Sequence, residues 1–153
     1  MVSLMETAIG ERLLRTKILF EAVAWLEVNS KSMNKRFLMD LIREEQLRKE
    51  GIDGDGDIIG RYSYVTQIIS KGKKRAGEPY TLYDTGAFYR GMFVIVLKDI
   101  LKVESTSDSY IEMRDQWWWV DEIMSLTDEN LQIYINWTKK DYIAYVRKAL
   151  QLD

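Results

Sequence analysis

One short stretch of the chain, Thr81 to Phe93, contains residues whose types and order could do chemistry. Its sequence, TLYDTGAFYRGMF, places Asp84, Thr85 and Gly86 directly after an apolar segment. A carboxylate on such a tight turn can serve peptide hydrolysis, where it works as one of a pair that shares a proton. A short chain would have to dimerise to supply the second carboxylate. The same residues also suit a structural turn, in which Asp84 bonds a backbone N–H two residues on and Gly86 adopts positive φ.

Retroviral aspartic proteases are the enzymes that this turn resembles, and the rest of the chain departs from their pattern. The segment Ile58-Ile59-Gly60-Arg61 resembles a second segment of those enzymes, but here it precedes the turn instead of following it. Phe88 stands where they carry a small polar or acidic residue. They are also almost wholly β, whereas both ends of this chain have helical patterns. We therefore favour the structural turn, with a dimeric protease using Asp84-Thr85-Gly86 as the alternative.

Two residue types that carry much enzyme chemistry are missing from the chain, since it has no His and no Cys. Their absence excludes cysteine nucleophiles, thiolate metal sites, disulfides and the Ser-His and Cys-His catalytic pairs. A metal-dependent nuclease would need clustered carboxylates with a Lys, and Asp84, Glu104 and Asp108 have no spacing that recommends them. The sequence thus predicts no catalytic residues and no cofactor, with a nuclease kept as a second enzyme alternative.

The segment from Gly51 onward resembles a calcium loop in its first half only. Asp53, Asp55 and Asp57 stand at the first three alternate positions of an EF-hand loop. Position six, which should be Gly, is Ile58, and position twelve, which should be Glu, is Tyr64. We therefore interpret the segment as a Gly- and Asp-rich turn without a metal site.

The apolar patterns predict a single α+β domain for residues 1–153, with N-terminal helices, an extended central arm, an antiparallel β-hairpin and a C-terminal helix. No N-terminal apolar run is long enough for a signal peptide or a membrane span, so we expect synthesis in a cytoplasm and no membrane partner. The predicted elements are helices at about 9–28, 34–50 and 109–116, an arm at 52–80, strands at 92–97 and 100–105, and a last helix capped by Thr127.

The arm at residues 52–80 is Gly-rich and charged, and it lacks a sustained apolar face. A structureless segment of that length is uncommon in a compact domain unless it has a function. Its few apolar residues could lie on a neighbouring subunit, and three consecutive Trp residues cannot all face one core. The candidate subunit-interface residues are Ile58, Ile59, Tyr62, Tyr64, Val65, Ile68, Trp117, Trp118 and Trp119.

A basic stretch lies in the second half of the arm. It contains Lys71, Lys73, Lys74 and Arg75, in a chain whose Lys and Arg total 22 against 24 Asp and Glu. A nearly neutral chain has no overall field that would draw it to nucleic acid. The stretch is therefore interpreted as a solvated loop that could contact an acidic partner or phosphate locally.

Several short motifs together resemble a structural protein of tailed bacteriophages. They are Gln46-Leu47, Gly51-Ile52-Asp53, Gly60-Arg61-Tyr62-Ser63 and the stretch from Leu82 to Tyr89, followed by the hairpin and the segment from Leu126 to Leu131. Across roughly residues 46–131 the chain resembles the small head–tail connector and tail-completion proteins, in the version found in crAss-like phages of gut bacteria.

That resemblance implies a non-enzymatic virion protein made in the host cytoplasm. Such proteins form rings at the neck or the top of the tail, where they contact the portal and neighbouring rings. It implies a homomeric ring, with twelve copies if the ring sits on a portal, and non-specific DNA contact in the channel through the basic stretch. A small adaptor that binds one phage or host protein stays as a further alternative.

Overall fold

The computed structural model describes residues 22–97, 100–116 and 120–152. Over these ranges the architecture is α+β, mostly helical with one two-stranded antiparallel sheet. The predicted fold class is therefore confirmed. In chain order the elements are α1 Ala22–Asn29, α2 Ser32–Asp40, a π-helical segment Leu41–Glu50, α3 Tyr64–Ile69, α4 Ala87–Arg90, β1 Met92–Leu97, β2 Ile100–Ser105, α5 Asp108–Gln116, α6 Val120–Ile123 and α7 Asp128–Leu150.

Helix α2 continues directly into the π-helical segment, and together they form one long helical rod. Asn34, Leu38, Ile42 and Gln46 recur every fourth residue and are all buried, which gives the rod its inward face. Gly51 ends it with φ +67°, and its N–H donates to the carbonyl of Gln46 at 2.7 Å. The helix predicted for about 34–50 is present, but its second half is wound more loosely than an α-helix.

The β-hairpin has the bounds that the sequence predicts. β1 pairs antiparallel with β2, with Met92 opposite Ser105 and Val94 opposite Val103. These four residues are buried, because alternate residues of each strand face the core. The predicted turn at residues 98–99 lies outside the described residues, as does the part of the first predicted helix that precedes Ala22.

Helix α7 spans 23 residues and closes the core. Its N-cap is Thr127, as predicted, whose hydroxyl accepts from the backbone N–H of Asn130 at 3.3 Å. Its apolar residues are only partly covered, since Tyr134 is buried but Leu131 and Ile135 remain exposed. The core beneath α7 consists of Leu38, Leu41, Ile42, Leu47, Phe88, Tyr89, Met92, Val94, Val103, Tyr110, Ile123, Met124 and Tyr134.

None of the helices in the described ranges combines the length and the apolar character needed to cross a membrane.

Candidate functional site

The Asp-Thr-Gly turn connects the end of the arm to α4. Gly86 adopts φ +77°, as a structural turn requires. The side chain that accepts from the backbone within this turn is Thr85, whereas the sequence expectation gave that role to Asp84: Thr85 Oγ1 accepts from the N–H of Ala87, two residues on, at 3.3 Å. The carboxylate of Asp84 is 81% exposed and accepts from Lys74 Nζ at 3.3 Å. The turn therefore joins the basic stretch of the arm to the body of the domain.

The calcium-like segment is a turn stabilised by one carboxylate. Asp53 Oδ1 accepts from the N–H of Asp55 at 3.0 Å and from that of Asp57 at 2.9 Å. The N–H of Gly54 donates to the carbonyl of Glu122 at 2.8 Å, which attaches the turn to α6. Within the part of the chain that the structure describes, no three His, Cys, Asp or Glu side chains come together as metal ligands.

The base of the arm is fixed to its own chain by an antiparallel bridge. Arg61 pairs with Pro79, the N–H of Tyr62 donates to the carbonyl of Glu78 at 3.0 Å, and the N–H of Tyr80 donates to the carbonyl of Gly60 at 2.8 Å. The rings of Tyr62 and Tyr80 meet edge to face at 4.9 Å between centroids. The arm thus leaves the domain and returns to it at one defined place.

Between the two sides of that bridge lies helix α3, which the sequence did not predict. Ser63 caps it, its hydroxyl accepting from the backbone N–H of Thr66 at 3.1 Å. None of its residues is buried. Four large apolar side chains on one helix, Tyr64, Val65, Ile68 and Ile69, are between 62% and 77% exposed.

The structure separates the candidate interface residues into groups. Tyr64, Val65 and Ile68 lie on the exposed face of α3, and Ile58 is exposed near the start of the arm. Ile59 is half-buried and packs against the core, and Tyr62 is half-buried against Tyr80, so both belong to the domain's own packing. The exposed Ile69 is an interface candidate that sequence reasoning missed. Trp117, Trp118 and Trp119 lie outside the described residues.

The basic stretch directly follows α3. Lys74 pairs with Asp84 and lies 5.6 Å from the ring centroid of Tyr62, so it helps to hold the arm. Lys71, Lys73 and Arg75 are exposed. The exposed apolar face of α3 is therefore flanked on its C-terminal side by three solvated cations.

A second apolar surface, absent from the sequence reasoning, lies beside α7. It is a groove of about 470 Å³ between α1, β2 and α7. Trp25, Leu101 and Val103 line its inner walls, and the exposed side chains of Leu131 and Ile135 form its rim. Leu131, Ile135 and Tyr142 recur at helical spacing, which indicates an apolar face on α7 but does not show whether the fold covers it.

Two buried tyrosine hydroxyls act as hydrogen-bond donors within the fold, and one partly exposed carboxylate is stabilised by its neighbours. Burial raises the pKa of Tyr134 and of Tyr89, so both stay protonated hydrogen-bond donors. The Tyr134 hydroxyl donates to Asn29 Oδ1 at 2.7 Å, and the Tyr89 hydroxyl donates to the carbonyl of Thr81. The hydrogen bond from Asn34, helped by Lys31, lowers the pKa of Asp141.

The fold and these surfaces define a mostly helical α+β protein with an apolar helix presented on an arm and an apolar groove on the body. Comparison of the chain with protein-family models, with curated proteins and with solved structures finds no match.

Proposed function

We propose that this protein is a non-enzymatic structural subunit that assembles into a homomeric ring in the head–tail connector, neck or tail top of a tailed phage. The observation that carries the proposal is the exposed apolar face of α3, held away from the core on an arm with a fixed base. Single proteins rarely expose contiguous apolar surface without using it for binding. The location in the virion comes from the resemblance of the short motifs to those of phage connector proteins.

The small size of the apolar face favours a closed ring of subunits over a dimer that is held by one such contact. Fully burying Val65, Ile68 and Ile69 would contribute about 1.5–3 kcal/mol each. Association itself costs about 4–15 kcal/mol, so one such contact alone is marginal. In a closed ring every subunit gives one arm and receives one, and a head-to-tail contact whose rotation closes produces such a ring.

The cations beside α3 extend the proposal to other partners. Lys71, Lys73 and Arg75 are solvated and flank the contact face, so they could meet an acidic portal surface or DNA phosphate in the channel. Twelve copies are the number that the resemblance to portal-bound rings implies.

The second candidate function is an adaptor that binds one phage or host protein, because the same face of α3 would serve it. Self-assembly separates the two, since an adaptor of this kind stays a monomer until its partner is present.

The protease alternative is tested by its activity. A pepstatin-sensitive peptidase activity that Asp84→Asn abolishes would support the protease and contradict the proposal.

Native mass spectrometry of the full chain tests the proposal directly. We expect one discrete multiple of 18.0 kDa for the native sequence. The double variant Val65→Ser, Ile69→Ser should give folded monomers, because it removes the apolar face and leaves the capping residue Ser63 in place. Ile143→Ser is the matched control, since Ile143 is also exposed but lies on α7. A monomer at every concentration and in the assembled particle would contradict the proposal.

A further inference from the structure

We propose that the groove beside α7 is the acceptor site for helix α3 of a neighbouring copy of this chain. The inference rests on the proposed ring function and supplies the second half of its contact. A head-to-tail contact joins two different surfaces of the same chain, so a projecting apolar face requires a recessed apolar face elsewhere on the subunit. The groove between α1, β2 and α7 is such a recess.

The apolar residues of α3 have the spacing of a helix that docks into a groove. Tyr64, Val65, Ile68 and Ile69 stand at positions i, i+1, i+4 and i+5 of α3 and form one stripe, as in helices that dock into apolar grooves. The side-chain hydrogen bonds of the helix stay inside the arm, for example from the N–H of Ala76 to Gln67 Oε1 at 2.8 Å. The apolar stripe is therefore free to meet another subunit.

The charges at the two ends of the groove give the contact a direction. On α7, Lys139 lines the groove, and the exposed Asp128 lies about one helical turn before the rim residue Leu131, about 16 Å from Lys139 along the helix. The C-terminal end of α3 carries Lys71, Lys73 and Arg75, and none of the three forms an ion pair within the described ranges. Opposite charges then place this end at Asp128, with α3 antiparallel to α7.

A small apolar ligand is the competing occupant, because pockets of roughly 300–1,000 Å³ are typical of small-molecule sites. The second copy is favoured because the same chain exposes an apolar stripe with cations at its C-terminal end, and because α7 carries the exposed Asp128 near one end of the groove. The test must therefore distinguish three cases: a groove filled by α3 of a neighbouring copy, a groove filled by a small ligand, and an empty groove.

Disulfide cross-linking can test the contact because the native chain has no Cys. Chains carrying Lys73→Cys and chains carrying Asp128→Cys, with different affinity tags, are co-expressed and mildly oxidised. We expect a disulfide-linked species that contains both tags, and we expect no cross-link when either variant is expressed alone. The matched control combines Lys73→Cys with Lys139→Cys, which lies at the opposite end of the groove. This pair should form no cross-link.

The outcomes separate this inference from the ring proposal. A cross-link in Lys73→Cys chains alone would mean that arms pair with arms, which overturns the groove as acceptor and leaves self-assembly standing. Assemblies by native mass spectrometry without the Lys73–Asp128 cross-link would overturn the inference in the same way. Native chains that stay monomeric throughout would overturn both.

A second pair of variants keeps the test independent of cysteine chemistry. Ile135→Glu places a charge on the groove rim and should abolish assembly while the circular dichroism spectrum is retained. Ile143→Glu on the same helix is the control; the two native side chains are 45% and 49% exposed. Binding of a fluorescent apolar dye is measured in the same variants. If Ile135→Glu abolishes dye binding but leaves assembly intact, the groove is a small-ligand site and the inference is contradicted.

Discussion

Gln46 joins the start of the arm to the start of α7. Its side chain is fully buried and makes three hydrogen bonds. Nε2 donates to the carbonyl of Ser125 at 3.0 Å, while Oε1 accepts from the N–H of Thr127 at 3.1 Å and from Asn130 Nδ2 at 3.0 Å. Its backbone carbonyl also accepts from the N–H of Gly51. One residue therefore fixes two segments that are about eighty residues apart in sequence.

Replacing this amide by a side chain of similar shape measures its contribution. Gln46→Met should lower the free energy of unfolding by about 2–4 kcal/mol, because it leaves buried donors and an acceptor without partners. The measurement is urea denaturation followed by circular dichroism. Gln67→Met is the control, since Gln67 makes its hydrogen bond within the exposed arm and should change global stability little. Equal effects of the two variants would contradict this role for Gln46.

Asp141 makes stability depend on pH in the acidic range. Its pKa is lowered from an ordinary value of 3.8 by the hydrogen bond from Asn34 at 2.8 Å and by Lys31 at 3.0 Å. The unfolded chain therefore binds more protons than the folded chain in this range. The stabilisation is present above the ordinary pKa and is lost as the pH falls through the lower folded value.

In Asp141→Asn the free energy of unfolding should therefore fall less steeply as the pH decreases below about 4, the unperturbed pKa range of an Asp carboxyl. Denaturation midpoints measured across the acidic range test this. Lys31→Gln should retain most of the slope, because the hydrogen bond from Asn34 is the larger cause. If the dependence of stability on acidic pH is the same in Asp141→Asn as in the native chain, Asp141 is not its cause.

At the residue scale, local turn chemistry was predictable and long-range partners were not. The positive φ of Gly86 and the cap at Thr127 follow from what Gly and Thr do within a few residues. Asp84 bonds Lys74 instead of its neighbouring backbone, because the arm brings a cation from ten residues away. The inward orientation of Ile59 likewise depends on the packing of the folded arm against the core.

At the element scale, α3 shows why a helix can escape sequence analysis. Its six residues, YVTQII, are rich in β-branched side chains, which lower helix propensity. The one local signal for it was Ser63 as an N-cap. By contrast, β2 has an alternating pattern that predicts its type and bounds, and α7 has Thr127 as a cap that predicts its type and its start.

The bridge at the base of the arm can be tested with two glycines that share a left-handed conformation. Gly51 has φ +67°, and a Cβ added there would lie 2.5 Å from Pro79 Cβ and 2.7 Å from the carbonyl oxygen of Tyr80. Gly72 has φ +78° with nothing within 4 Å. Gly72→Ala should therefore cost about 1–2 kcal/mol for its backbone conformation alone.

Gly51→Ala should cost more, because the added methyl group meets a carbonyl and a proline ring that must move. We expect faster hydrogen exchange at Tyr62 and Tyr80, whose amides form the base of the arm, and little change there in Gly72→Ala. Hydrogen exchange with mass spectrometry is the measurement. Protection at both amides that is the same in the two variants would show that the arm base does not depend on Gly51.

At the scale of the whole molecule, the apolar groove and the apolar face of α3 are on different parts of the subunit. The groove lies between α1, β2 and α7, whereas α3 is held by the bridge of Arg61 with Pro79. Sequence reasoning pointed to the arm because the arm is continuous in sequence. It could not show the groove, because the lining residues come from 25–29, 38–42, 101–103 and 124–142, which only the fold brings together.

Mixing two defective chains gives the last prediction. A chain with Ile69→Glu has a damaged arm and an intact groove, and a chain with Ile135→Glu has the reverse, so each alone should be monomeric. When the two chains are combined, one head-to-tail contact is intact, and no larger species than a dimer of one chain of each kind can form through it. Because a single contact is marginal, we expect these mixed dimers only at high protein concentration, where chemical cross-linking before mass spectrometry of differently tagged chains should trap them. A mixture in which cross-linking at high concentration traps no mixed dimer, while the native chain assembles, would contradict a contact between α3 and the groove.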